Sequence, residues 1–126
     1  AVQCGIRGGF AVIFVTGPLF AGKKAYISQI LGLSAQELAE RAVWDVQDLA
    51  AEADNLEELA RTLARREIVI ATEVGGGVIP VQAEQRRARE AAGRLSCLLA
   101  ARADIVVRVC CGLPQLLKGE WPCSSI

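Results

Sequence analysis

Histidine is missing from this 126-residue chain, and so is methionine. Without an imidazole the chain holds no Ser-His-Asp or Cys-His pair, no His-containing zinc site, and no imidazole base or nucleophile. An excess of charge of either sign is missing too, because fourteen Lys and Arg balance fourteen Asp and Glu. A balanced chain lacks the electrostatic footprint of a nucleic-acid binder, so no nucleic-acid partner is expected. The five cysteines, Cys4, Cys97, Cys110, Cys111 and Cys123, include no CxxC pair. An odd count without that spacing is neither a disulfide framework nor a zinc pattern. The longest uncharged run, Gly8 to Gly22, is broken by Gly17 and Pro18. It falls short of the about 18–20 apolar residues of a spanning helix. A cytoplasmic protein without a membrane span is expected. A Met-free chain starting at Ala1 suggests processing or an incomplete chain.

What is present is apolar residues, 52% of the chain. That content argues against disorder, and the length suits one domain, residues 1–126, given about 100–200 residues per domain. Strand-like and helix-like blocks alternate. Phe10 to Thr16 is a continuous β-branched and aromatic run, as in a strand buried on both faces. Residues 22 to 31 read as a helix that Gly32 stops. Ser34 and Glu37 have the spacing of a capping box, so a second helix starts at Ala35. Val43 to Val46 fits either a short strand ending near Asp45 or a continued helix. Asp54 or Asn55 caps a helix from Leu56 to Arg66. Glu67 to Thr72 is a second clear strand, and Pro80 precedes or opens a long helix with Ala88, Ala91, Ala92, Leu95, Leu98 and Leu99 buried. Asp104 to Cys111 is a third strand, ended by Gly112-Leu113-Pro114. The pattern predicts an α/β fold with βαβ crossovers and a mainly parallel sheet. Residues 119–126 read as a loose tail.

The sharpest local motif is Gly17-Pro18-Leu19-Phe20-Ala21-Gly22-Lys23-Lys24. It fits G-x-x-x-x-G-K between a buried strand and a helix. In such a loop, backbone N–H groups and the helix N-terminus surround phosphates, and the lysine, here Lys23, reaches the β- and γ-phosphates. The next position normally carries a Ser or Thr hydroxyl for Mg²⁺. Here it is Lys24, so Mg²⁺ is expected to be poorly positioned. Glu73 follows the second clear strand, at the edge where open α/β sheets bind ligands. Beside the loop, Glu73 would bind Mg²⁺ or act as a base. Arg86, Arg87 and Arg89 form either a solvated helix face or an anion site built from guanidinium forks.

Glu73-Val74-Gly75-Gly76-Gly77-Val78-Ile79-Pro80, then Arg86-Arg87-Ala88-Arg89, Gly93-Arg94-Leu95, Ala103-Asp104 and Gly112-Leu113-Pro114 through Lys118 form an ordered series. It resembles the C-terminal half of the adenosylcobinamide kinase/adenosylcobinamide-phosphate guanylyltransferase family. The resemblance implies a three-layer, RecA-like P-loop NTPase fold and a homo-oligomer of cobalamin biosynthesis. It implies phosphorylation of a cobinamide hydroxyl by ATP or GTP, then GMP transfer through a histidine. On that resemblance Asp45 matches weakly a middle aspartate and, with Glu73, is a candidate metal ligand. Lys23 and Glu73 are the candidate catalytic residues. The chain departs from the family at Lys24, where the family has serine, in a shortened middle region, and in having no histidine. Three readings follow: a cobinamide-kinase-like enzyme without histidine-based guanylyl transfer, a non-catalytic nucleotide-binding or assembly relative, and an unrelated small P-loop kinase.

Overall fold

The computed structural model describes residues 12–18, 21–73 and 82–121. The first strand, β1, spans Ile13–Gly17, followed by helices α1 (Lys23–Leu31) and α2 (Ala35–Arg41). A two-residue strand β2 (Ala42–Val43) leads to α3 (Gln47–Ala50) and α4 (Leu56–Leu63). Then come β3 (Ile68–Thr72), the long α5 (Ala83–Arg102), β4 (Ile105–Cys110) and β5 (Leu113–Lys118). The sheet order is β2-β3-β1-β4-β5. The pairs β2·β3, β3·β1 and β1·β4 are parallel, and β4·β5 is antiparallel.

The alternation of side chains along β1 explains why helices cover both faces. Successive strand residues point to opposite sides, and β1 is apolar on both. Phe14, with Val69, Ala71 and Val106, packs against Ala60 and Leu63 of α4 and Ala92, Leu95 and Leu99 of α5. Ile13 and Val15, with Ile68, Ile70, Ile105 and Val107, pack against Ile27 and Leu31 of α1 and Leu38 of α2. A central parallel strand buried on both faces needs this unbroken apolar run. Complete burial of each such side chain contributes about 1.5–3 kcal/mol.

Helix ends follow local chemistry. Gly32 takes a left-handed conformation (φ 68°) after α1, where a glycine carries no steric penalty. Ser34 Oγ accepts from the Glu37 N–H, and the Glu37 carboxylate accepts from the Ser34 N–H, each at 3.1 Å. This capping box adds about 1 kcal/mol to a seven-residue helix that is short on its own. Asn55, rather than Asp54, caps α4 through the Glu58 N–H at 3.2 Å. Lys118 donates to the carbonyls of Ala100 and Ala101 at 3.1 and 3.0 Å, placing a cation in the last turn of α5.

Three sequence expectations need amendment. The ambiguous segment is both things in turn: Ala42–Val43 pair with β3, Asp45 turns the chain at φ 58°, and α3 begins at Gln47. The helix expected to run to Arg66 ends at Leu63. The third strand does end ahead of Gly112, but Leu113 and Pro114 open a further strand instead of leaving the sheet. Cys111 (φ 54°) and Gly112 (φ 73°) are both left-handed and join β4 to an antiparallel β5. Two such residues form the turn that matches strand twist in a tight hairpin. Pro114 is tolerated because β5 is an edge strand. The sheet is therefore mixed, with four parallel strands and one antiparallel edge. The first turn expected at Pro80, the glycine turn at residues 75–77, Leu19, Phe20 and the end of the tail lie outside the described residues. Among the described residues no helix is long and apolar enough to cross a membrane.

Candidate functional site

The C-terminal ends of β1, β3 and β4 meet around Gly17. Glu73 donates its backbone N–H to the Gly17 carbonyl at 2.8 Å, tying the end of β3 to the end of β1. Gly112 donates to the Ala21 carbonyl at 2.9 Å, tying the loop to the β4 side. A side chain at Gly17 would place its Cβ 2.0 Å from the Val109 carbonyl oxygen, so only glycine allows β4 this close. Gly22 sits at φ 88° and α1 starts at the next residue.

Lys23 opens α1 yet is buried. Its Nζ donates to the carbonyls of Gly17 at 3.1 Å and Pro18 at 2.7 Å, folding the side chain back across the loop. Burial pulls its ammonium below the ordinary lysine range, the charges of Asp45 and Glu73 push it back up, and Lys24 lowers it. Lys24 is exposed and holds its Nζ 4.2 Å from the centre of the Trp44 ring, a cation–π contact. Ala21, Gly22, Lys23, Lys24, Asp45 and Thr72 line a hollow of about 300 Å³ on the α1 side of this edge. Gln47 accepts from the Thr72 N–H at 2.9 Å, which anchors the chain after Asp45 to β3.

Glu73 lies over the opposite face. Its carboxylate accepts from Arg108 Nε at 2.6 Å and Nη2 at 2.9 Å, a two-point fork. The Arg108 hydrogen bonds hold the Glu73 carboxyl below the usual carboxylate range; burial opposes this, and the charges of Arg108 and Lys23 reinforce it. The same contact raises the guanidinium further above its already high value. Glu73 shares a second hollow, of about 320 Å³, with Thr16, Thr72, Arg89, Ser96 and Cys97.

The fold thus gathers Lys23, Lys24, Asp45 and Glu73 at one sheet edge, with Asp45 and Glu73 lining separate hollows. The arginine run is split. Arg89 lines the hollow of Glu73, Arg87 lines a groove between α5 and the α3–α4 connection, and Arg86 is exposed and lines neither. Arg108 and Trp44 were missed from sequence. Arg108 had a signal: it is the one charged residue inside the apolar run Ile105 to Cys110. Trp44 had none beyond its neighbourhood to Asp45. Among the described residues, no group of three or more carboxylate, thiol or imidazole side chains is placed to hold a metal ion.

Comparison with known proteins converges on one family. Residues 20–117 match the family described as Cobinamide kinase / cobinamide phosphate guanyltransferase. The Bifunctional adenosylcobalamin biosynthesis protein CobP of Pseudomonas aeruginosa is 38% identical over 76 residues, 60% of this chain and 44% of that relative. The chain therefore aligns with less than half the length of this relative. The family match includes part of the loop before α1, Lys23, Glu73 and all of β4, so the edge built around Gly17 falls largely inside it. This chain belongs to the cobinamide kinase / cobinamide phosphate guanyltransferase family of cobalamin biosynthesis.

Proposed function

We propose that the chain is a P-loop nucleotide-binding domain that keeps the kinase half of the family's chemistry. In this reading ATP or GTP places its phosphates on the Gly17–Lys24 loop, and a cobinamide hydroxyl is the acceptor. The hydroxyl oxygen attacks the γ-phosphorus, the bond from that phosphorus to the bridging oxygen breaks, the nucleoside diphosphate leaves, and the hydroxyl proton passes to solvent. The observation that carries the reading is Lys23: a buried ammonium at the start of the helix that follows, after a short loop, a doubly buried parallel strand. Such catalysis rests on positioning and charge, which one well-placed cation and a helix N-terminus supply. Lys23 is the candidate catalytic residue. Glu73, weakly basic and bound to Arg108, orients that guanidinium in this reading, and Arg89 is the arginine of the run best placed for an anion. Histidine-based guanylyl transfer has no nucleophile within this chain. A homo-oligomer and a cytoplasmic location belong to the same reading.

Mg²⁺ fits the residues poorly. The hydroxyl position is Lys24, and both Glu73 oxygens accept from a guanidinium. Asp45 remains as a carboxylate, and Lys23 and Lys24 line the same hollow. This arrangement favours a second reading, a nucleotide-binding relative without catalysis. One assay separates the two. The chain is incubated with ATP or GTP and cobinamide, with and without Mg²⁺, and cobinamide phosphate is sought by mass spectrometry. The kinase reading expects product; nucleotide binding without product under every condition leaves the non-catalytic reading.

A further inference from the structure

We propose that the groove between α5 and the α3–α4 connection seats the macrocycle of cobinamide, whose hydroxyl arm crosses α5 at Gly93 toward the hollow of Glu73. The inference rests on the acceptor reading above and gives that acceptor a place.

The first observation is the groove itself. It offers about 1060 Å³, against about 320 Å³ for the hollow beside Glu73, and so has room for a large organic molecule. Its floor is apolar: Ala50, Ala53, Leu56, Ala91 and Leu98. Its walls carry both signs. Arg87 and Arg94 stand on α5, Asp54 on the α3–α4 connection, and Glu57 in the first turn of α4. Among the described residues, none of these four side chains makes an ion pair or a side-chain hydrogen bond. This is not an anion site, because a phosphate is attracted by two guanidiniums and repelled by two carboxylates. It suits a neutral polar group that both donates and accepts. A primary carboxamide does both: its carbonyl accepts from a guanidinium and its NH₂ donates to a carboxylate. Cobinamide is a flat macrocycle rimmed with such carboxamides. The apolar floor matches the ring, and the unpaired charges match the rim.

The second observation is Gly93. It lies in the middle of a 20-residue helix, where glycine costs stability relative to alanine. Packing does not require it, because a Cβ built there meets nothing within 4 Å. Gly93 and the exposed Cys97, one turn further on, border both the groove and the hollow of Glu73. They form the ridge between the two spaces, and the missing side chain lowers that ridge. Thr72 in turn borders both the hollow of Glu73 and the hollow of Lys23. The three spaces therefore form one series along the molecule. It orders the acceptor's ring, its hydroxyl arm and the phosphates of the loop.

The test uses cobinamide and the full chain, with binding followed by equilibrium dialysis through the visible absorbance of the macrocycle. Gly93→Leu is expected to weaken binding at least about tenfold, because the new side chain fills the crossing. Its melting temperature should be no lower than that of the unmodified chain, because leucine is the better helix former. Arg87→Ala combined with Arg94→Ala removes both amide donors and is expected to weaken binding about tenfold. Alkylation by N-ethylmaleimide, mapped by mass spectrometry, reads the place directly. Cobinamide is expected to slow the reaction of Cys97 and to leave Cys111, which lines neither space, unchanged. Equal binding by the unmodified chain and both variants, or no protection of Cys97, overturns this seat and leaves the acceptor reading standing. Absence of cobinamide binding by the unmodified chain overturns the acceptor reading itself. If Gly93→Leu melts lower, the double arginine variant and the protection of Cys97 decide.

Discussion

The two hollows at the end of the sheet differ in how they hold charge. On the α1 side, Lys23 is buried and its ammonium rests on two backbone carbonyls, which offer partial charges only. On the α5 side, Glu73 is half-exposed and rests on a full opposite charge from Arg108. The first arrangement leaves an electrostatic surplus that an anionic ligand can use. The second is neutralised before any ligand arrives. Thr72 borders both hollows and Glu73 follows it directly, so consecutive positions of one chain serve opposite faces. Equal numbers of positive and negative residues over the whole chain thus conceal an uneven local distribution at this edge.

The comparison can be broken most severely at the glycine between the hollows. Gly17→Ala is expected to destabilise by about 3 kcal/mol, because the new methyl meets the Val109 carbonyl and φ 153° suits glycine. For a chain of this length the melting temperature should fall by roughly 10 °C, measured by circular dichroism. An unchanged melting point would mean that β4 does not approach Gly17 as described.

Lys23→Ala acts mainly on the α1 side, with a smaller electrostatic effect on Glu73. Removing one charged donor is expected to weaken nucleotide binding by about 1.5–3 kcal/mol, roughly ten- to a hundredfold, measured by calorimetry. If affinity is unchanged, the surplus charge on this side does not serve an anion.

The smallest effect concerns acid pH on the α5 side. The folded pKa of Glu73 is depressed, so its pairing stabilises the fold above the carboxylate's unfolded pKa of about 4.5 and is lost as pH falls through the lower folded value. The pair is half-exposed, so the effect is small and salt-sensitive. Melting temperatures of the unmodified chain and Glu73→Gln should differ at neutral pH and converge in strong acid. A difference that persists in strong acid would assign the stabilisation to something other than the ion pair.

Local chemistry made much of this legible in advance. The buried strand, the glycine that stops α1, the Ser34 capping box and the G-x-x-x-x-G-K spacing each depend on residues within one short segment, where periodicity and turn preferences act. The boundaries moved where tertiary packing competes with propensity. The segment after Arg41 satisfies both a strand and a helix pattern, and pairing with β3 selects strand for Ala42–Val43 before α3 begins. The β4–β5 hairpin was hidden because its left-handed turn is Cys111-Gly112, without the asparagine or aspartate that usually advertises it. The arginine run read as one unit and was divided, because positions 86, 87 and 89 point around a helix in different directions.

Sequence alone established the two-faced apolar strands, the lysine at the start of α1 and the absence of any histidine in this chain. These follow from residue identity and short-range spacing, and no neighbour can alter them. Tertiary structure decided which charges meet. Arg108 and Glu73 are 35 residues apart, and their fork exists because β3 and β4 flank β1 in one sheet. Asp45 comes to the edge of the Lys23 hollow through a left-handed turn and the Val46 and Gln47 bonds to β3. Electrostatic partners depend on distance in space, and sheet order, which sets that distance here, arises only when both faces of β1 are covered.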